Sequence, residues 1–260
     1  MTAQGGELLV RVGKVPFYGY ASGAFGFYIE PDGFKGWDGG VDIRDEDEEI
    51  PQRPGSFDLP VFPKRRLPVI QGFCRAESPE RIGWYGRQLT GLAADGGRVR
   101  ITVEKGGVRR WADARLVGSS DFDQIRNTRF ARYQLQLRCA NPRKFGETRR
   151  FASGVPAFHR GNFRASPVIT VTPTGSGMPN GYSINGPSGR KYTVSAGLAT
   201  GHVHVIDMAT GLIAVDGVVT AGIVTQPDTW SILPAQQVAM TLVPVSGSGV
   251  LSAAVVDTDV

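Results

Sequence analysis

Glycine and proline interrupt this chain every few residues. With 35 glycines and 17 prolines in 260 positions, hardly any stretch is long enough to carry an apolar stripe at helical spacing. Short alternating runs between turn residues are frequent instead, and that punctuation favours many short strands joined by turns. Leu8, Val10 and Val12 alternate with polar neighbours and predict a first strand. Val99, Ile101 and Val103 alternate again; Gly106-Gly107 then offers a turn tolerant of positive φ, and Val108–Leu116 returns to complete a hairpin. Tyr133, Leu135, Leu137 and Cys139 predict a further strand, which Asn141-Pro142 stops.

One segment reads as a helix, Ser78–Leu92. Ser78 can cap it, Pro79 suits its first position, and Glu80 meets the positive end of the dipole. Ile82, Tyr85 and Leu89 share one face. The glycine-aromatic stretch Phe17–Trp37 supplies rings for packing between layers or for a subunit contact. Trp37, Trp84 and Trp111 are expected as packing anchors of the first part.

Charge divides the chain. Residues 151–260 hold four basic side chains and five acidic ones, leaving 25 and 19 of the totals of 29 and 24 for residues 1–150. Surfaces of about +6 and −1 point to two domains. The expected division is 1–150, a linker at 151–164 rich in Gly154, Pro156 and Gly161, and 165–260. Beyond the linker, seven short strands are expected: Val168–Thr172, Gly181–Ile184, Lys191–Val194, His202–Asp207, Leu212–Val215, Val238–Val243 and Val250–Val255. Seven in about 95 residues suit a β-sandwich.

Several chemistries find no support. The arginines are scattered among acids, without the compact basic run interleaved with aromatics that marks nucleic-acid binding. Cys74 and Cys139 have neither disulfide-framework nor metal-ligand spacing and are expected to be reduced and buried. His202 and His204 share strand parity and could pair on a metal, but His159 is the only other histidine and Asp207 has the opposite parity; a structural role is favoured. No nucleophile elbow, HExxH or phosphate loop is present, and the contiguous acids Asp45–Glu49 do not set two carboxylates across a cleft, so no enzyme and no cofactor are expected. Met1–Glu7 is polar and glycine-rich rather than a signal peptide, and the apolar runs are far below a membrane span. A soluble protein made in a cytoplasm is expected.

The order of motifs is familiar. Trp37 precedes Arg53-Pro54-Gly55 and Arg65-Arg66-Leu67-Pro68-Val69-Ile70-Gln71-Gly72; helix and hairpin follow, and the hairpin ends in Leu116-Val117-Gly118. The strand Tyr133–Cys139 then runs into Ala140-Asn141-Pro142-Arg143-Lys144-Phe145-Gly146. Later come Gly161-Asn162-Phe163, Ser166-Pro167-Val168-Ile169-Thr170-Val171, the hairpin around Ala209-Thr210-Gly211, and Trp230-Ser231-Ile232-Leu233-Pro234. In this order the set resembles the distal tail proteins of siphophages, whose first domain commonly closes a strand with A-[DN]-P-x-x-[YF]-G. One departure stands out: members often show Pro-Gly-x-Asn where this chain has Pro234-Ala235-Gln236-Gln237.

The resemblance implies a mainly β chain, with an N-terminal split β-barrel-like domain carrying one helix and a C-terminal galectin-like β-sandwich. It implies a structural virion protein at the distal end of the tail, six copies forming a ring that links the tail tube to the tail-tip adhesion machinery. The implied partners are the tail tube protein, the tail-tip hub or tail-associated protein, the tape measure protein and a receptor-binding protein. DNA would pass through the ring without specific binding, and no membrane insertion is implied. Two residue sets remain open between roles. Asp45, Glu46, Asp47, Glu48 and Glu49 either line the channel or form a plain solvated loop. Trp230 is either a core anchor or a platform for a sugar ring, the latter belonging to the alternative of a carbohydrate-binding receptor module.

Overall fold

The computed structural model describes residues 7–20, 22–44 and 48–260. Among the described residues the chain is mainly β with one α-helix, and it divides into two compact units, residues 1–144 with Val260, and residues 145–259.

In the first unit the strands are β1 (Leu9–Val12), β2 (Val15–Tyr18), β3 (Gly26–Lys35), β4 (Ile43–Arg44), β5 (Phe62–Pro63) and β6 (Val69–Arg75). After helix α1 (Ile82–Thr90) come β7 (Val99–Lys105), β8 (Val108–Leu116), β9 (Asp121–Gln124) and β10 (Phe130–Arg138). Hydrogen bonding runs β8-β7-β1-β2-β3-β6-β10, and β10 pairs back onto β8 through Leu137↔Leu116 and Arg138↔Arg115. Seven strands therefore close a barrel, with β9 added outside β10. The pair β2–β3 is parallel and spans two residues, Phe17↔Phe27 and Tyr18↔Tyr28; all other neighbours in the ring are antiparallel.

Alternation fills the barrel. Val10, Val12, Phe17, Phe27, Ile70, Ile101, Val103, Tyr133, Leu135 and Leu137 are buried inside. Phe17, Phe27 and Tyr133 form a ring cluster with centroids 5.2–5.5 Å apart. Ala112 and Ala114 are the inward positions of β8, small residues facing that bulk. Trp111 consequently points outward, half-buried, with the Arg100 guanidinium 3.7 Å from its ring centroid. The expected inward anchor on β8 is thus corrected by parity. Trp37 is buried, and Trp84 packs partly buried against the core.

The hairpin is as the glycines require: Lys105 pairs Val108, and Gly106 and Gly107 both take positive φ, 58° and 76°. The helix begins four residues later than its first cap. Ser78 Oγ accepts the Arg81 amide at 3.4 Å, so Ser78–Arg81 forms a turn that leads into α1. Ile82, Tyr85 and Leu89 bury the expected face, Tyr85 standing edge-on to Phe27 at 5.8 Å.

The second unit contains β11 (Lys144–Ala152), β12 (Pro156–Ala157), β13 (Val168–Thr174), β14 (Tyr182–Asn185), β15 (Lys191–Val194) and β16 (His204–Asp207). It continues with β17 (Leu212–Val215), β18 (Val218–Val219), β19 (Val224–Pro227), β20 (Val238–Ala239), β21 (Thr241–Pro244) and β22 (Ser248–Asp259). One sheet runs β18-β17-β16-β13-β22-β11 and another β19-β15-β14-β21, while β12 and β20 form a small ladder. Ile169, Val171, Ile206, Leu251, Ala253 and Val255 of the first sheet share one core with Tyr182, Ile184, Tyr192 and Val194 of the second.

Residues 151–164, expected as a linker, are tied into this unit. Ala157 is fully buried. His159 Nδ1 accepts the Gly161 amide at 3.1 Å, which leaves Nε2–H to donate to the Ile232 carbonyl at 3.1 Å. A Cβ on Gly161 would stand 1.9 Å from the Thr258 carbonyl oxygen, so that glycine serves close approach rather than flexibility.

Candidate functional site

The first unit carries an arm. The chain leaves the barrel at the end of β3 and returns at β6, and its two ends are fastened together at the root. Gly36, at φ +74°, lies so close to Leu67 that a Cβ would meet its carbonyl oxygen at 2.2 Å. Arg66, 2% exposed, is the fastener. Its Nη1 donates to the Trp37 and Gly39 carbonyls at 2.7 and 2.8 Å and, longer, to Gly36 at 3.3 Å; Nε donates to Pro142 at 3.2 Å. Lys144 Nζ donates to the same Trp37 carbonyl at 3.2 Å. The Asn141-Pro142 element, where Asn141 Oδ1 accepts the Arg143 amide at 3.1 Å, is thereby joined to the arm's base. Burial lowers the Arg66 pKa from its ordinary value, and Nη2 is buried without a hydrogen-bond partner.

Beyond the root, the described residues of the arm form the two-residue pair β4–β5 and the bridge Glu49↔Ser56. Ile43, Phe57, Leu59, Val61, Phe62 and Leu67 are between 39% and 54% exposed. Six large apolar side chains on one excursion form the kind of surface that marks a contact with another chain. Near the base a concavity of about 730 Å³ is lined, among the described residues, by Asp42, Arg44, Phe62, Lys64, Arg65 and Leu67. Of the five consecutive acids, Asp45, Glu46 and Asp47 lie outside the described residues, and Glu48 and Glu49 are exposed.

A second surface lies on the outer wall of the barrel. Side chains of the outward parity line up across the strands because register sets them opposite one another. One row runs Tyr18, Tyr28, Phe73, Arg132 and Asp123 through β2, β3, β6, β10 and β9. Tyr28 stacks on Phe73 at 5.3 Å with an 11° interplanar angle, and Tyr18 sits 5.8 Å from Tyr28. The adjoining row places Gln71 opposite Gln134 and Gln134 opposite Asp121, and Gln71 donates to Glu30 at 2.6 Å. Phe73 remains 40% exposed. Phe73 and the half-buried Tyr18 thus stand on the wall near Glu30, Asp121 and Asp123, while Tyr28 between them is 7% exposed and covered.

In the second unit the two histidines of the sequence pair part company. His204 is buried on β16 with Nδ1 2.9 Å from the Tyr182 hydroxyl, whereas His202 precedes the strand, exposed, with Nδ1 2.5 Å from Asp216 Oδ2. Among the described residues no group of three His, Cys, Asp or Glu side chains is placed to hold a metal. Trp230 is 3% exposed in the core, its ring against the Gly186 backbone, and presents no open face to a sugar. At the Pro234–Gln237 departure, Ala235 takes φ +60°, and Gln236 Oε1 accepts the Leu233 amide at 3.0 Å. Burial raises the thiols of Cys74 and Cys139 to about 12 and about 11. Sequence reasoning missed the arm and the wall: exposure on an irregular excursion leaves no periodic signal, and the wall appears only once register is known.

No protein-family model matches the sequence, and no curated protein does. The fold does have relatives. The seven-stranded barrel with one helix and the two-sheet unit make up a fold already seen in solved phage proteins. In particular it is the fold of the Dit protein of phage SPP1, a paradigm of the hub adsorption apparatus in phages infecting Gram-positive bacteria. The TM-score is 0.74 at 12% identity, over 96% of this chain and 98% of that one. A chain of the phage P2 baseplate, in its activated conformation with Ca, matches at TM-score 0.51 and 7% identity, over 95% and 97%.

Proposed function

We propose that the chain is a structural protein of a phage tail tip, a hub that assembles with copies of itself and works by contact rather than catalysis. The observation that carries this reading is the fold shared with the SPP1 hub protein over 96% of the chain, both units included. The motif order that resembles siphophage distal tail proteins supports it independently of the coordinates.

In this reading the barrel units form a closed six-membered ring at the distal end of the tail. The ring joins the tail tube to the adhesion machinery and leaves a channel through which DNA passes. The second unit, a galectin-like sandwich, points outward and carries host-binding parts. The exposed apolar arm and the aromatic wall are consistent with self-association, since interface cores are enriched in aromatic side chains. Negative-stain images of the purified full chain, with sedimentation velocity, test the reading. Closed rings with a central hole are expected; a monomer across the accessible concentration range would overturn it.

A further inference from the structure

We infer that Asn180 is a site of spontaneous covalent modification, its side-chain amide closing onto the Gly181 nitrogen and then hydrolysing to an aspartyl or isoaspartyl link. Asn185, in the same dipeptide setting, is held unreactive by the fold. The inference stands on local geometry and does not depend on the hub reading.

Asn-Gly occurs at Asn180-Gly181 and again at Asn185-Gly186. The dipeptide is reactive because glycine has no Cβ to hinder the approach of its amide nitrogen. That nitrogen, once deprotonated, attacks the side-chain carbonyl carbon of the asparagine. A new N–C bond forms, the bond to Nδ2 breaks, and ammonia leaves. Water, the one co-reactant, then opens the resulting succinimide. Cleavage at the side-chain carbonyl gives aspartate; cleavage at the main-chain carbonyl gives isoaspartate, with one extra carbon in the backbone.

The fold separates the two sites. Asn185 ends β14, the strand between β15 and β21, and is paired on both sides, with Lys191 and with Thr241. The Gly186 amide donates to the Arg190 carbonyl at 2.8 Å. Ring closure there requires Asn185 to leave the extended range of ψ and that bond to break. Asn180 instead stands exposed at the corner of a turn, in none of the strands. One bond closes that turn, from the Gly181 amide to the Met178 carbonyl, and at 3.3 Å it is longer than an ordinary N–H···O bond.

The turn has no slack for the longer product. A Cβ on Gly181 would stand 2.2 Å from the Val194 carbonyl oxygen, and one on Gly177 would stand 2.7 Å from that of Leu198. Met178 also exchanges both backbone bonds with Leu198, at 2.9 and 3.0 Å. Aspartate keeps the backbone length and fits this seat, whereas isoaspartate displaces it.

The test incubates the full chain in mildly alkaline buffer and digests samples with chymotrypsin. Cleavage after Tyr182 puts the two asparagines on different peptides, and mass spectrometry reads the conversion of each. Asn180 should convert first, with Asn185 slower on the order of tenfold or more, because it waits on local opening of β14. In urea, with strand and turn both lost, the two rates should converge. Asn180→Gln should abolish the early product, since glutamine would have to close a larger ring. The isoaspartyl form should melt below the parent, and an Asn180→Asp variant should melt with it. Asn185 keeping pace with Asn180 in the folded chain, or Asn180 staying intact there while converting in urea, overturns the inference. An early product that survives Asn180→Gln overturns it equally.

Discussion

Replacing Arg66 with alanine removes the fastener at the root of the arm. Two short charge-assisted bonds are lost, to Trp37 and Gly39, together with longer ones to Pro142 and Gly36. Bonds to a charged donor contribute about 1.5–3 kcal/mol each, so the two short ones amount to roughly 3–6 kcal/mol. Part of that is offset. The guanidinium is buried, its pKa is lowered by desolvation, and Nη2 has no partner, all of which cost the native state. Trp37 also keeps Lys144 as a donor. A net loss of about 2–4 kcal/mol is expected for the first unit, measured by urea denaturation followed through tryptophan fluorescence. Arg66→Lys should fall between, because one ammonium cannot serve Pro142 and the Gly36–Gly39 carbonyls together. Both variants should also weaken self-association, since the arm loses its fixed base. An unchanged midpoint for Arg66→Ala would mean that burying the charge costs as much as its bonds return, and the fastening argument would fail.

Two further outcomes follow from burial. Trp37→Ala should cost about 3–5 kcal/mol, whereas Trp111→Ala, on the outer face with Arg100, should cost well under half of that; equal losses in thermal melts would contradict the parity of β8. His204 supplies a pH dependence. Its pKa is lowered from 6.5, first by burial and further by nearby His202, with Asp216 opposing. The unfolded chain therefore takes up the proton first. The stability tied to this group is complete above about pH 6.5 and declines as pH falls below it, by at most about 1.4 kcal/mol per pH unit. His204→Gln should flatten that part of the stability–pH curve, and a curve identical to the parent's would count against the assignment.

Much of the secondary structure was legible because turn chemistry is local. Gly106-Gly107 dictated the β7–β8 turn, and Leu212–Val215 and Lys191–Val194 stood out between glycine breaks. Misreadings came where a residue type answered to a distant partner. Trp111 looked like a core residue by size, yet its neighbours Ala112 and Ala114 face the core, because Phe17, Phe27 and Tyr133 already fill it. The strand Lys144–Ala152 escaped notice because its charges obscure the pattern; Arg149 pairs with buried Asp257, more than a hundred residues away. Gly161 read as a linker glycine, although its role is contact with Thr258. The candidate site was the least legible part. The resemblance carried by the motif order implied a ring, but the wall exists only through register, and the arm through the exposure of its described apolar side chains.

The barrel also has a consequence of arithmetic. When every strand around a closed wall runs opposite to its neighbour, the count must be even; a wall of seven has to contain an odd number of like-directed pairs. Here that obligation falls once, on β2 and β3, where six reversals elsewhere leave one unpaired. A chain that must run back along the barrel between two like-directed strands has only residues 19–25 to do it, so the two strands overlap by just two residues. The barrel thus has a seam, one of the two shortest ladders in its wall; the closing pair, β8 with β10, is equally brief. Rings rather than backbone bonds bind it: Phe17 against Phe27 within, Tyr18 against Tyr28 outside. A cylinder with an odd number of staves has to be glued somewhere, and in this one aromatic side chains are the glue.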